Sequence, residues 1–160
     1  MTTTTTTTLA LAKAALKDLW VAALTSSGDT AVQVTYGRRV TVSGAERVTI
    51  GGAGGETVPQ SLGPARQMRE NYDIRCGVSV SSNGAASDQQ VVSERCIYLY
   101  GVLEHALRML PSEDLGLTGA TVLAVVQGSW EFGESDASET GGPLNAYYEF
   151  PVRISARFRN

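Results

Sequence analysis

The chain has 160 residues, 42% hydrophobic and 18% charged, with 13 basic residues against 16 acidic and a net charge of −3. Those figures describe one domain with a buried core and argue against wholesale disorder and against nonspecific nucleic-acid binding as the main activity. No apolar run approaches the roughly 18 residues of a membrane span, and the start lacks the basic and apolar regions of a secretory signal.

Thr2 to Thr8 form a run with nothing apolar to bury, so residues 1–8 are expected as a frayed tail and 9–160 as the single domain. Thr8 stands where it can cap the following helix. From Leu9 the spacing turns helical. Leu9, Ala12, Leu16, Leu19 and Ala23 recur at three and four residues, Trp20 and Leu24 widen the stripe, and Lys13, Lys17 and Asp18 stand away from it. Thr25 to Asp29 stops this helix. Ala31 to Tyr36 alternates as a strand, Arg39 to Val42 extends it or starts a hairpin, and Arg47 to Ile50 forms the next strand. Gly51 to about Met68 holds glycines, Pro59 and Pro64 and few apolar residues, and reads as a long flexible loop.

Glu70 to Ser81 alternates Tyr72, Ile74, Cys76, Val78 and Val80 with Asp73, Arg75, Gly77 and Ser79, the pattern of a half-buried strand. Ser82 to Ala86 makes a turn, and Ser87 with Gln90 has the spacing of a capping box. Asp88 to Leu110 is the strongest helix, with Val92, Cys96, Leu99, Leu103, Ala106 and Leu110 in one stripe and Pro111 ending it. Its outer face carries Ile97, Gly101, Glu104 and Arg108, flanked by Tyr98 and Tyr100. An isoleucine beside a glycine there is either chance, since single exposed apolar residues are normal, or a place where another subunit approaches closely. Two long strands follow, Thr121 to Phe132 and Tyr147 to Arg159, joined by the polar stretch Gly133 to Ala146 and expected to pair antiparallel. The order α-β-β-β-α-β-β, with one apolar side per element, implies an α+β fold: a mostly antiparallel sheet with two helices packed on one face. The other sheet face is polar and rich in arginine.

No constellation for catalysis or metal binding is visible. His105 shares a helix face with charged residues and reads as a solvated or interface histidine. Cys76 and Cys96 fall on apolar stripes, the places of two reduced core thiols. The glycine cluster at 51–55 is followed by prolines rather than by the helix a phosphate cradle requires. No cofactor is therefore expected. Trp20, Trp130, Tyr147 and Tyr148 are the residues that would line an apolar pocket if the chain were instead a monomeric small-ligand-binding module.

Charge is segregated. Between Arg108 and Arg153 there is no basic residue, while Glu113, Asp114, Glu131, Glu134, Asp136, Glu139 and Glu149 are acidic; Arg153, Arg157 and Arg159 then close the chain. A solvated loop and a solvated strand face account for this blandly. The sharper reading sets acid on one subunit against arginine on the next, in a head-to-tail contact that closes into a ring.

The layout resembles the tail terminator (tail completion) proteins of long-tailed bacteriophages, especially those infecting actinobacteria. The resemblance lies in the opening helix leading into Val32-Gln33-Val34-Thr35-Tyr36-Gly37, in Arg69-Glu70-Asn71-Tyr72-Asp73-Ile74, in Leu103-Glu104-His105-Ala106-Leu107-Arg108, and in Tyr148-Glu149-Phe150-Pro151-Val152-Arg153-Ile154. It spans roughly residues 9–158; the threonine run and the 51–68 stretch depart from it. It implies a virion protein assembled in the host cytoplasm: a ring, expected to be of six subunits, that ends tail-tube polymerisation and offers a surface to the head connector or stopper. DNA passes through such a lumen without specific binding, and no membrane is involved. Glu131, Glu134, Asp136 and Glu139 would face the lumen or the next subunit. Another head-tail connector, an adaptor or a tail-tube subunit is the alternative within the same class.

Overall fold

The structure, a computed structural model, describes residues 7–37, 46–59, 68–82, 89–135 and 144–158. The elements in chain order are α1 (Leu9–Ser26), β1 (Gln33–Tyr36), β2 (Glu46–Pro59), β3 (Met68–Ser81), α2 (Gln89–Arg108), β4 (Ala120–Val126), β5 (Glu131–Ser135) and β6 (Asn145–Phe158), with a 3-10 turn at Pro111–Glu113. The strands form one sheet in the order β1-β2-β3-β6-β4, and β5 continues along the same edge of β6 as β4. Every pairing is antiparallel except β1 with β2. The architecture is the expected α+β sheet with both helices on one face.

Period explains which side chains are buried. Even-numbered residues of β3 and β6, from Ile74 to Val80 and from Phe150 to Ala156, meet Ala12, Leu16, Trp20 and Leu24 of α1 and Val92, Cys96, Leu99, Leu103 and Leu107 of α2 in one core. Trp20 meets the edge of the Phe150 ring at 6.1 Å. In α2 the buried stripe takes in Leu107, while Ala106 and Leu110 are only partly buried.

The structure departs from expectation in four places. Gly51 to Pro59 continues β2 rather than forming a loop, pairing with β3 through Pro59 opposite Met68, with a register shift between Ile50 and Ala53. Glycine makes this approach possible: a Cβ on Gly51 would lie 2.6 Å from the Arg75 carbonyl, and one on Gly55 would overlap Asn71 O and Tyr72. Secondly, β1 runs parallel to β2, so these two are not a hairpin; Arg39 to Val42 lies outside the described residues. Thirdly, the single strand expected over 121–132 is two. Pro151 of β6 accepts a bond from the Gln127 N–H (3.3 Å) but has no N–H to return to that neighbour, so the ladder breaks there. Gly128, at φ 130°, carries the chain across the Pro151 ring before β5 resumes pairing at Glu131.

The fourth concerns the threonine run. Thr8 is buried: its N–H and hydroxyl donate to one Glu70 carboxylate oxygen at 2.8 and 2.7 Å, and its Oγ1 lies 2.9 Å from the Tyr72 hydroxyl. It makes no side-chain cap on α1; the Leu9 N–H instead donates to Thr7 Oγ1 at 3.2 Å. Thr8 is thus part of the folded domain, held by strand β3. Ser87 of the expected capping box lies outside the described residues.

Candidate functional site

The sheet's second face bears no layer of its own among the described residues. Register decides what meets there. Asp73 of β3 stands opposite Arg153 of β6, and the guanidinium donates two bonds to the carboxylate at 2.8 and 3.0 Å. Hydrogen bonding to Arg153 is the main reason that the Asp73 carboxyl titrates below its ordinary value. Arg69 stands opposite Arg157 and donates to the Ser155 hydroxyl at 3.3 and 3.1 Å. Arg75, Glu149 and Arg157 are exposed.

Two adjoining grooves cross this face and share Asp73 and Arg153. The first, of about 850 Å³, runs between Gly52–Gly54 of β2 and Gly128–Glu131, over Arg75 and Glu149. The second, of about 580 Å³, lies towards Arg69, Asn71, Leu123 and Ser155. Glu113 borders it from a turn in which Ser112 and Glu113 both hold positive φ (53° and 58°), a conformation that side chains other than glycine adopt reluctantly.

Trp130, 63% exposed, stacks on Tyr148 at 5.4 Å, and Tyr148 stacks on Tyr100 of α2 at 4.1 Å. Burial pushes the Tyr100 hydroxyl up to about 12. The apolar pocket expected from Trp20, Trp130, Tyr147 and Tyr148 does not form. Trp20 is fully buried under the helices, Trp130 lies at the sheet edge, and Tyr147 points to the opposite side from Tyr148, as neighbours in a strand must.

The acidic residues are also separated. Glu131 accepts a bond from the Tyr147 hydroxyl at 3.2 Å on the open side, whereas Glu134 accepts one from Ser93 of α2 at 2.5 Å on the helix side. Alternation along β5 puts them on opposite faces, so they do not make one acidic surface. Asp136, Glu139 and Arg159 lie outside the described residues. Arg153 and Arg157 do share a face, but the carboxylate that holds Arg153 comes from β3.

On α2, Tyr100 does not flank the outer face as expected but packs inward on Tyr148 and Phe150. Ile97 is half exposed, Gly101 faces open space, and Arg108 bonds Glu104 at 3.0 Å. Val91 and Tyr98 add exposed apolar surface. A glycine within a helix costs about 1 kcal/mol relative to alanine, and nothing among the described residues requires one at 101. His105 is exposed near the helix end. Cys76 and Cys96 are buried free thiols, each pushed up to about 12 by burial.

The sequence reading did not single out Arg69, Asp73 or Arg75 as site residues, and it named Trp130 only for an apolar pocket. Two of them carried a signal: alternation already put Asp73 and Arg75 on the face away from the core. What it lacked was register. Among the described residues, no group of three His, Cys, Asp or Glu could hold a metal ion, and no helix is long and apolar enough to cross a membrane. No protein-family model matches this sequence, and no curated protein matches it either.

Proposed function

We propose that the protein is a structural subunit of a bacteriophage tail, a terminator that assembles into a ring, caps the tail tube and provides the head-joining surface. One observation carries most weight: the subunit has two broad and unlike surfaces. One side is a helix layer, with Leu11 and Val21 exposed on α1. The other is a sheet face, uncovered among the described residues, where Arg69, Arg75, Arg153 and Arg157 stand among Asp73 and Glu149. Unlike surfaces suit heterologous, head-to-tail association, the kind that closes into rings. Arginine forks suit the contact, since they bind carboxylates bidentately. The resemblance in element order supplies the tail and the expected count of six; DNA would cross the lumen unbound, and the tube protein and connector would be the partners.

Native mass spectrometry over a concentration series, with negative-stain images of the same sample, tests this. A discrete closed ring is expected, and Arg153→Glu with Arg157→Glu should prevent it while leaving the fold intact. A strict monomer that also fails to cap purified tail tubes would sink the reading. Open-ended tubes would select a tail-tube subunit instead. The 850 Å³ groove beside Trp130 and Arg75 favours a second reading, a monomeric ligand-binding module, which a ligand-dependent melting shift in a permanent monomer would select.

A further inference from the structure

We infer that the outer face of α2 is a self-complementary docking surface for α2 of a second copy, the two helices crossing antiparallel at Gly101. Glu94, Ile97, Gly101, Glu104 and Arg108 follow one another at three and four residues along that face. Val91, Ile97 and Tyr98 beside them are 57%, 49% and 47% exposed. A Cβ at Gly101 would meet nothing within 4 Å, so the described residues give no packing use for a residue that weakens the helix. A second helix has such a use, because the distance between packed helices depends on the side chains at the crossing.

Charge settles the orientation and the partner. Glu94 and Arg108 are equally far along the chain from Gly101, on either side of it. An antiparallel crossing there sets Glu94 of each copy opposite Arg108 of the other, and Tyr98 opposite Glu104. A parallel crossing would set Glu94 against Glu94 and Arg108 against Arg108, which repels. Arg108 is steadied for the contact by its own Glu104 at 3.0 Å, with its side chain 67% exposed. Such a two-fold contact uses the same patch on both copies and closes on itself. It therefore cannot be the head-to-tail contact of a ring, and it does not depend on the ring reading. One helix pair makes a small interface, so the dimer is weak and reversible.

Sedimentation velocity over a concentration series tests this on the full chain. Wild type should show a reversible pairing step, of free subunits or of whole rings. Gly101→Leu should keep the circular dichroism spectrum and lose the dimer. Glu94→Arg and Arg108→Glu should each weaken dimerisation about tenfold, because a two-fold axis turns each reversal into two repulsive contacts. Mixed together, those two variants should pair with each other, since both contacts become complementary again. A wild-type monomer at every concentration overturns the inference, as does a dimer indifferent to all three substitutions. Loss of closed rings together with the dimer in Gly101→Leu would also overturn it, by making this face the ring contact. Loss of the dimer with rings intact supports it.

Discussion

The two faces of the β3–β6 pair are held by interactions of different strength. Towards the helices, Ile74, Cys76, Val78, Phe150, Val152 and Ile154 are buried to within a few per cent, and their contacts exist only because the chain folded. Away from the helices, the same strands carry Asp73, Arg75, Arg153 and Arg157, whose best contact is an exposed ion pair of the kind that contributes little. One face holds the domain together; the other is nearly free to be chosen for what it meets. The comparison extends to the two arginine clusters. Arg95 of α2 spans Glu46 (two bonds of 2.8 Å) and Asp29 (2.7 Å), with its side chain 32% exposed, and ties α2 to β2 and to the residues after α1. Arg153 binds one carboxylate in the open.

The comparison breaks most visibly in the core. Trp20→Ala should lower stability by about 3–5 kcal/mol, seen as a fall in the urea midpoint, because it empties a fully buried site against Phe150. Gly55→Val should cost about 1–3 kcal/mol by driving a side chain into Asn71 and Tyr72. If that variant melts with the wild type, the glycine segment of β2 does not pair as described. Arg95→Met should cost about 1–2 kcal/mol at neutral pH, discounted for partial exposure.

That last difference should shrink in acid. Burial alone raises the Asp29 carboxyl, but bonds from Ser27 and Arg95 and the Arg95 charge outweigh it and hold the group below its ordinary 3.8. A lowered carboxyl contributes stability that is present above the unfolded value and is lost as pH falls through the folded one. Thermal melts of both proteins should therefore converge below about pH 3.8. The smallest effect belongs to the open face. Arg153→Ala should leave the melting temperature unchanged within measurement while altering association, which separates a surface kept for folding from one kept for a partner.

The positions of the helices, the core faces of β3 and β6 and the outer stripe of α2 were legible because amphipathic period is a property of the chain alone. Asp73 with Arg153 was only half legible. Both were assigned to the outward face, yet their meeting depends on Ile74 lying opposite Val152, a register that alternation does not specify. The glycine segment misled, because a residue without a side chain signals a loop when solvent surrounds it and a close strand when a backbone does. Thr8 misled likewise: a threonine in a polar run shows no reason to be buried until Glu70 and Tyr72 are brought beside it.

By itself, then, the sequence determined the α+β class, the order of elements and which side of each one is apolar, since these follow from local spacing and burial. Tertiary structure alone decided that β1 runs parallel to β2, that Pro151 splits the last hairpin, that Glu131 and Glu134 face opposite ways, and that Arg153 belongs to Asp73. Each of those is a contact between residues distant in the chain, settled by which backbone groups find partners once the sheet has closed.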